Sequence, residues 1–148
     1  TLQGAGIQPG HTVLEVGCGT GFFTIPAARL IGDQGYLVAM DALLDYTKRV
    51  SKKVQAADLK NVRVVQRDAL ETGLDAASMD MVLLFGVLPF PFLPLSRLLP
   101  EMHRILKPEG RMAVWLFPVS GWVPKSILQS GFFTYISKQN GVYNYRRR

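Results

Sequence analysis

A few positions in this 148-residue chain have residue types and spacings that suit a ligand better than a core. Gly17, Gly19 and Gly21 alternate through Gly17-Cys18-Gly19-Thr20-Gly21, and Glu15 lies two residues upstream. Glycine has no Cβ, so a loop of this composition turns sharply and lets a ligand approach its backbone. A second acid, Asp41, comes after another short apolar run, about 20 residues beyond the glycine loop. A carboxylate there can accept hydrogen bonds from both hydroxyls of a ribose, or it can cap the next helix. A third acid, Asp68, ends a further run and is followed by Ala69.

These residues need elements to hold them, and the hydrophobic pattern supplies the elements. Val13, Leu14 and Val16 read as a buried strand, and Phe22, Phe23, Ile25, Ala27, Ala28, Leu30 and Ile31 as an apolar helix. Pro26 falls within the helix's first turn, and Gly32-Asp33-Gln34-Gly35 closes it. Tyr36–Met40 predicts a second strand, Leu43 to about Leu59 a helix with Val50 and Val54 inward, and Asn61–Arg67 a third strand. Asp80–Phe85 is an almost wholly apolar fourth strand, as a strand covered on both faces requires. Leu95, Leu98, Leu99, Met102, Ile105 and Leu106 repeat as a helix, which Lys107-Pro108-Glu109-Gly110 ends; Arg111–Phe117 is a fifth strand. Pro118–Pro124 is a short link and Lys125–Gln129 a short helix. Phe132–Ser137 and Val142–Tyr145 then form a hairpin around Asn140-Gly141. The expectation is one α/β domain over residues 1–148. It has a Rossmann-like, doubly wound, mostly parallel sheet with a C-terminal antiparallel hairpin, in three αβα layers. Ligands of such sheets bind at the carboxyl ends of the strands.

The glycine loop departs from the dinucleotide pattern G-x-G-x-x-G, whose third glycine would stand where Phe22 does. Glu-x-Gly-x-Gly-x-Gly instead resembles motif I of the class I methyltransferases that use S-adenosylmethionine (SAM). The resemblance implies that Glu15, Gly17, Cys18, Gly19 and Gly21 wrap the methionine part of SAM, with Glu15 organising the loop and the amino group. It implies Asp41 as the motif II acid on the ribose, followed by Ala42. It makes Asp68 and Ala69 the adenine readers, where Asp68 would otherwise be a surface acid in a loop. Phe85, at the end of the fourth strand, joins the same cofactor site. The leucine-rich helix, the Lys-Pro-x-Gly turn and the strand after it are similar to the small-molecule and quinone-type branch. A cytoplasmic SAM-dependent methyltransferase of the EC 2.1.1 type is therefore expected, releasing S-adenosylhomocysteine and acting on a small, partly apolar acceptor. The proline- and phenylalanine-rich stretch Gly86–Pro94 either walls the acceptor or packs on its neighbours. No Asn/Asp-Pro-Pro-aromatic tetrapeptide is present, which argues against an adenine N6 methyltransferase.

Composition narrows the alternatives. Hydrophobic residues make up 48% and charged residues 19%, so the chain has the composition of a globular protein rather than a disordered one. A single cysteine, Cys18, excludes an internal disulfide, and with no Cys or His set around it no metal site is expected. The chain shows no charged and apolar leader, so no signal peptide is expected. Met81–Leu95 is too short and too proline-rich to span a membrane. The net charge of +6 is concentrated at Arg146-Arg147-Arg148 and on the face shared by Lys48, Arg49, Lys52 and Lys53. That face is either solvated or a surface for nucleic acid or an anionic membrane, so a nucleic-acid methyltransferase stays open. General bases are scarce: His11 precedes the first strand, His103 lies in a helix, and nothing places the hydroxyls of Tyr46, Tyr135, Tyr143 and Tyr145. No catalytic residue is assigned. About a dozen residues precede the glycine motif, so little N-terminal lid is expected. An open site, a covering partner chain or homodimer, and a SAM-binding module without its own catalysis are all compatible with that.

Overall fold

The computed structural model describes residues 1–117 and 119–148. Five parallel strands, β1 (Thr12–Val16), β2 (Tyr36–Asp41), β3 (Val62–Gln66), β4 (Met79–Phe85) and β5 (Leu106–Trp115), lie in one sheet. β6 (Phe133–Gln139) and β7 (Val142–Arg147) complete it, with β7 antiparallel to both β5 and β6. The order across the sheet is β3-β2-β1-β4-β5-β7-β6. The chain winds outward from β1 to β3, then returns to the other side of β1 with β4. The crevice at the carboxyl ends of β1 and β4 is thus the topological switch point of the sheet.

Side-chain alternation divides each central strand between two cores. Leu14, Val16, Val82 and Leu84 face α3 (Leu95–Ile105) and α4 (Trp122–Gln129), which bury Leu98, Leu99, Met102, Ile105, Val123 and Ile127 against them. Val13, Leu37, Met81 and Leu83 face α1 (Thr24–Ile31), which buries Ala27, Ala28 and Ile31. α2 (Leu44–Ala56) closes that layer by packing Val50 and Val54 on Ala39 and Cys18. Each fully buried Leu, Ile or Met contributes about 1.5–3 kcal/mol, so the two apolar faces fix which way each strand points. The three αβα layers and the seven strands are those expected from the sequence.

The boundaries differ in informative places. α1 begins at Thr24 rather than Phe22, because the glycine turn continues through Phe22 and Phe23, leaving the Phe22 side chain 75% exposed. α2 stops at Ala56, three residues short of Leu59, where Asp58 takes a left-handed φ of 54°. β5 starts directly at Leu106, opposite Met79, and absorbs Lys107-Pro108-Glu109-Gly110. Glu109 at φ 68° and a register shift between Met79 and Met81 take up that irregularity within the strand. α4 is about a turn longer than expected at its start, and β7 runs on to Arg147. Pro118, which opens the expected link after the fifth strand, lies outside the described residues. Among the described residues no helix is long and apolar enough to cross a membrane, and no group of His, Cys, Asp and Glu is arranged to hold a metal.

Candidate functional site

The carboxyl ends of β1 to β4 are level. Val16 stands beside Met40 on one side and Leu84 on the other, and Asp41 is opposite Gln66. Three inter-strand gaps carry this row of ends across about 14 Å. Such a row is wide enough for an extended nucleoside joined to an amino acid.

The glycine loop sits over β1. Gly17 and Cys18 both donate from their backbone N–H to the carbonyl of Met40, at 2.8 and 3.0 Å, so the loop is fastened to the end of β2. Gly17 has φ +70°, and a Cβ there would collide with Val87 of the segment after β4. That position therefore requires glycine twice over, for its dihedral and for its neighbour. Asp41 bridges the loop to the start of α2: one carboxylate oxygen accepts from Gly19 N–H and the other from Leu43 N–H, both at 3.0 Å. The cap alternative for Asp41 gives way to this bridge, since the N-cap of α2 is Leu43. Ala42 beside it is exposed.

Glu15 lies beneath the loop, 3% exposed, and accepts a 2.6 Å hydrogen bond from the Thr24 hydroxyl at the start of α1. Burial pushes its carboxyl up to about 7; the Thr24 bond opposes this and the charge of Asp41 adds to it. Cys18 is also buried, and burial, with Glu15 and Asp41 nearby, pushes its thiol up to about 12. A thiol so disfavoured as thiolate is inert, and Cys18 acts as a small group filling the space beside Ala39, Val50 and Val54. Asp68 is exposed after β3; one of its oxygens caps the 3-10 turn Ala69–Glu71 through Leu70 N–H at 2.9 Å, while Ala69 is buried. Phe85 ends β4 with its ring buried edge-on against Phe23, 5.1 Å between centroids, so what it offers a ligand is its backbone.

Two contacts were not foreseen. Lys53 leaves the basic face of α2 and donates to the Thr20 carbonyl at 2.6 Å, so it fastens the loop to α2 one residue beyond the Asp41 bond to Gly19. The Thr24 bond to Glu15 is the other. A threonine nine residues after a motif acid is a faint signal in a sequence, whereas Lys53 carried none that separates it from Lys48 and Lys52.

The proline-rich segment after β4 divides its side chains. Leu88 is buried, but Phe90 and Phe92 stand 50% and 77% exposed, with ring centroids 5.5 Å apart. They follow β4 at the same end of the sheet as the glycine loop and face water there instead of packing into the core. The histidines are elsewhere: His11, before β1, accepts from Gln8 N–H, and His103 Nε2 lies 3.0 Å from the Arg148 carbonyl. Tyr135, Tyr143 and Tyr145 gather beside α4 and away from the loop.

Seven strands in this order, with a glycine turn after β1 and acids closing β2 and β3, are the fold of the class I SAM-dependent methyltransferases. Residues 13–110 match the family model described as a methyltransferase domain. The chain belongs to that family, whose class I members take S-adenosylmethionine as cofactor. It is 35% identical over 114 residues to the demethylmenaquinone methyltransferase of Listeria welshimeri, covering 76% of this chain and 48% of that protein. The Bacillus cereus protein of the same name is 33% identical over 113 residues, covering 76% and 47%. The chain thus spans about half the length of the curated relatives it matches. Among solved structures, a SAM-dependent methyltransferase from Aquifex aeolicus superposes with a TM-score of 0.79 at 22% identity, covering 99% of this chain and 86% of that one. The geranyl diphosphate C-methyltransferase of Streptomyces coelicolor gives 0.77 at 16%, covering 92% and 60%. At such identities the likeness is one of fold.

Proposed function

We propose that the chain acts as one domain that holds S-adenosylmethionine across the ends of β1 to β4 and passes its methyl group to a small, partly apolar acceptor. The observation that carries this is the level row of strand ends with the glycine loop, Asp41 and Asp68-Ala69 side by side. The residues present fit the cofactor. Gly17, Gly19 and Gly21 leave their backbone open to the methionine part, and Glu15 beneath them faces its ammonium group. Asp41, with Ala42, takes the ribose hydroxyls; Asp68 and the Ala69 N–H take the adenine edge; and Phe85 lends its backbone to the floor. Bound there, the cofactor supplies a methyl already activated by a sulfonium, so the protein's task is to align the acceptor in line with it.

The exposed rings of Phe90 and Phe92 form the acceptor wall. With the histidines held far from the strand ends, the chain's own residues offer the acceptor position and exclusion of water rather than a base. An acceptor with its own nucleophilic atom suits such a site, and an electron-rich ring carbon is one; the Listeria relative is named for a demethylmenaquinone. Phe22, Phe92 and Phe117 remain 75%, 77% and 66% exposed around this end of the sheet, a rim that suits a partner chain or second copy. The distance of the histidines also favours a second reading, a SAM-binding module without its own catalysis.

Calorimetric titration with S-adenosylmethionine, S-adenosylhomocysteine and NAD tests the cofactor assignment. Micromolar binding of the two adenosyl ligands is expected, weakened about tenfold or more in Asp41→Ala by loss of charge-assisted bonds to the ribose. Binding of NAD, or unchanged affinity in Asp41→Ala, would refute it. Methyl transfer to a panel of quinols and phenols separates the enzyme from the module.

A further inference from the structure

The hairpin and α4 flank an open groove of about 570 Å³ that involves no residue of the glycine loop or of the row of strand ends. Trp122, Lys125 and Leu128 of α4 form one side, and Tyr135, Tyr143 and Tyr145 of the hairpin form the other. The three tyrosines share a face because of the register. Tyr135 is opposite Tyr145, and Tyr143 lies two residues before Tyr145 on the same strand. Trp122, Leu128 and Tyr135 are 56%, 46% and 45% exposed, an unusual amount of apolar and aromatic surface to leave in water.

Tyr145 makes this groove more than a surface depression. Its side chain is fully buried, and its hydroxyl is sealed from solvent with no hydrogen-bond partner among the described residues. A buried hydroxyl in that condition is a standing cost, and natural cores rarely keep one without a use. The ring of Tyr135 stands edge-on to it at 6.0 Å and is itself 45% exposed, so it lies between the Tyr145 ring and water. Charge points the same way. Among the described residues Lys125 lines the groove and no acid does, while Lys138 lies 4.8 Å over the Tyr143 ring.

We propose that this groove is a second ligand site, for a planar aromatic carboxylate. The rings of Trp122, Tyr135 and Tyr143 sandwich the aromatic plane, the Tyr145 hydroxyl donates to a carboxylate oxygen, and Lys125 pairs with the charge. The site is independent of the cofactor assignment, since it uses none of its residues. Flat rings gain from offset and edge contacts with aromatic walls, and a carboxylate is the acceptor that a hydroxyl and an ammonium can both meet.

The test uses 2-naphthoate as the probe, its neutral analogue 2-naphthamide as the control, and tryptophan fluorescence as the readout. Saturable one-to-one quenching by 2-naphthoate is expected, with 2-naphthamide at least about tenfold weaker. Lys125→Met and Tyr145→Phe should each weaken 2-naphthoate about fivefold or more and leave SAM titration unchanged. Tyr145→Phe should also melt at or above the wild-type temperature, because it removes a hydroxyl that has no partner. A lowered melting temperature would show that the hydroxyl is already bonded and would overturn the proposal. So would equal affinity for the amide, unchanged binding in both variants, or displacement of 2-naphthoate by SAM.

Discussion

Glu15 is the residue whose chemistry depends most on where the fold puts it. In an unfolded chain its carboxyl titrates near 4.5; beneath the glycine loop burial raises it to about 7. Between those two values the folded protein keeps a proton that the unfolded chain releases, so this group's contribution to stability is complete below pH 4.5. It falls away as the pH rises from 4.5 to about 7, by about 3 kcal/mol in all, and changes no further once the carboxyl has ionised in place. Glu15→Gln keeps an oxygen for the Thr24 hydroxyl and cannot ionise. Urea denaturation at about pH 5 and about pH 8 should show the variant gaining on the wild type by up to about 3 kcal/mol at the higher pH. Parallel pH profiles for the two proteins would mean that Glu15 is not held protonated. Nothing in Glu-x-Gly-x-Gly-x-Gly states this: the pattern places an acid by the loop, while its burial depends on α1 closing over it and Thr24 reaching back. Likewise Lys53 reads as one basic residue among several on a helix face, and only the packing of α2 sends it to the Thr20 carbonyl.

At the scale of elements, strands were legible wherever apolar residues alternate or run together, and helices wherever Leu or Val recurs every three or four residues. Their ends were not, because they are set by partners far away in the chain. β5 begins at Leu106, ahead of the expected Arg111, because Leu106 pairs with Met79, a contact that no local pattern announces. The turn that carries Asp68 and Ala69 is a similar case. It is anchored by Glu101 of α3, which accepts from both the backbone N–H and the hydroxyl of Thr72, at 2.9 and 2.7 Å, and from Arg104. The Arg104 bond leads, with the two Thr72 bonds behind it, in holding the Glu101 carboxyl at about 2 against its own partial burial. A carboxyl lowered in this way stabilises the fold above its unfolded value near 4.5, and the benefit disappears as the pH falls towards 2. Glu101→Ala should cost about 1–2 kcal/mol near pH 7 and nearly nothing near pH 2, read from thermal melts at both. Because the turn also bears Asp68 and Ala69, proposed above to read the adenine, the variant should weaken SAM more than S-methyl-thioribose analogues that lack the base. An equal loss for both ligands would detach the turn from adenine.

For the molecule as a whole, the row of strand ends was legible because a doubly wound sheet must bring successive strand ends to one edge. Three acids and three glycines at the right intervals then had to meet there. The state of that edge was not legible. A sequence shows that Phe22, Phe90, Phe92 and Phe117 are apolar but not that all four face water, an outcome decided by what else is present to cover them. This exposure makes the coupling between ligand and fold a measurable quantity. A ligand that binds only the native state adds RT ln(1 + [L]/Kd), about 2.7 kcal/mol at one hundred times Kd. For a domain of this size that raises the melting temperature by roughly 5–10 °C. S-adenosylhomocysteine at saturating concentration should produce that shift in the isolated chain, and NAD should not. If calorimetry gives a Kd and the melting shift falls well below the value it dictates, the unfolding unit is not the unit that binds, and a second copy must close the rim before the cofactor stabilises it. Repeating the melt across a hundredfold range of protein concentration then decides between the two. A concentration-independent shift of full size assigns the whole site to one chain, whereas a shift that grows with concentration assigns the exposed phenylalanine rim to an interface.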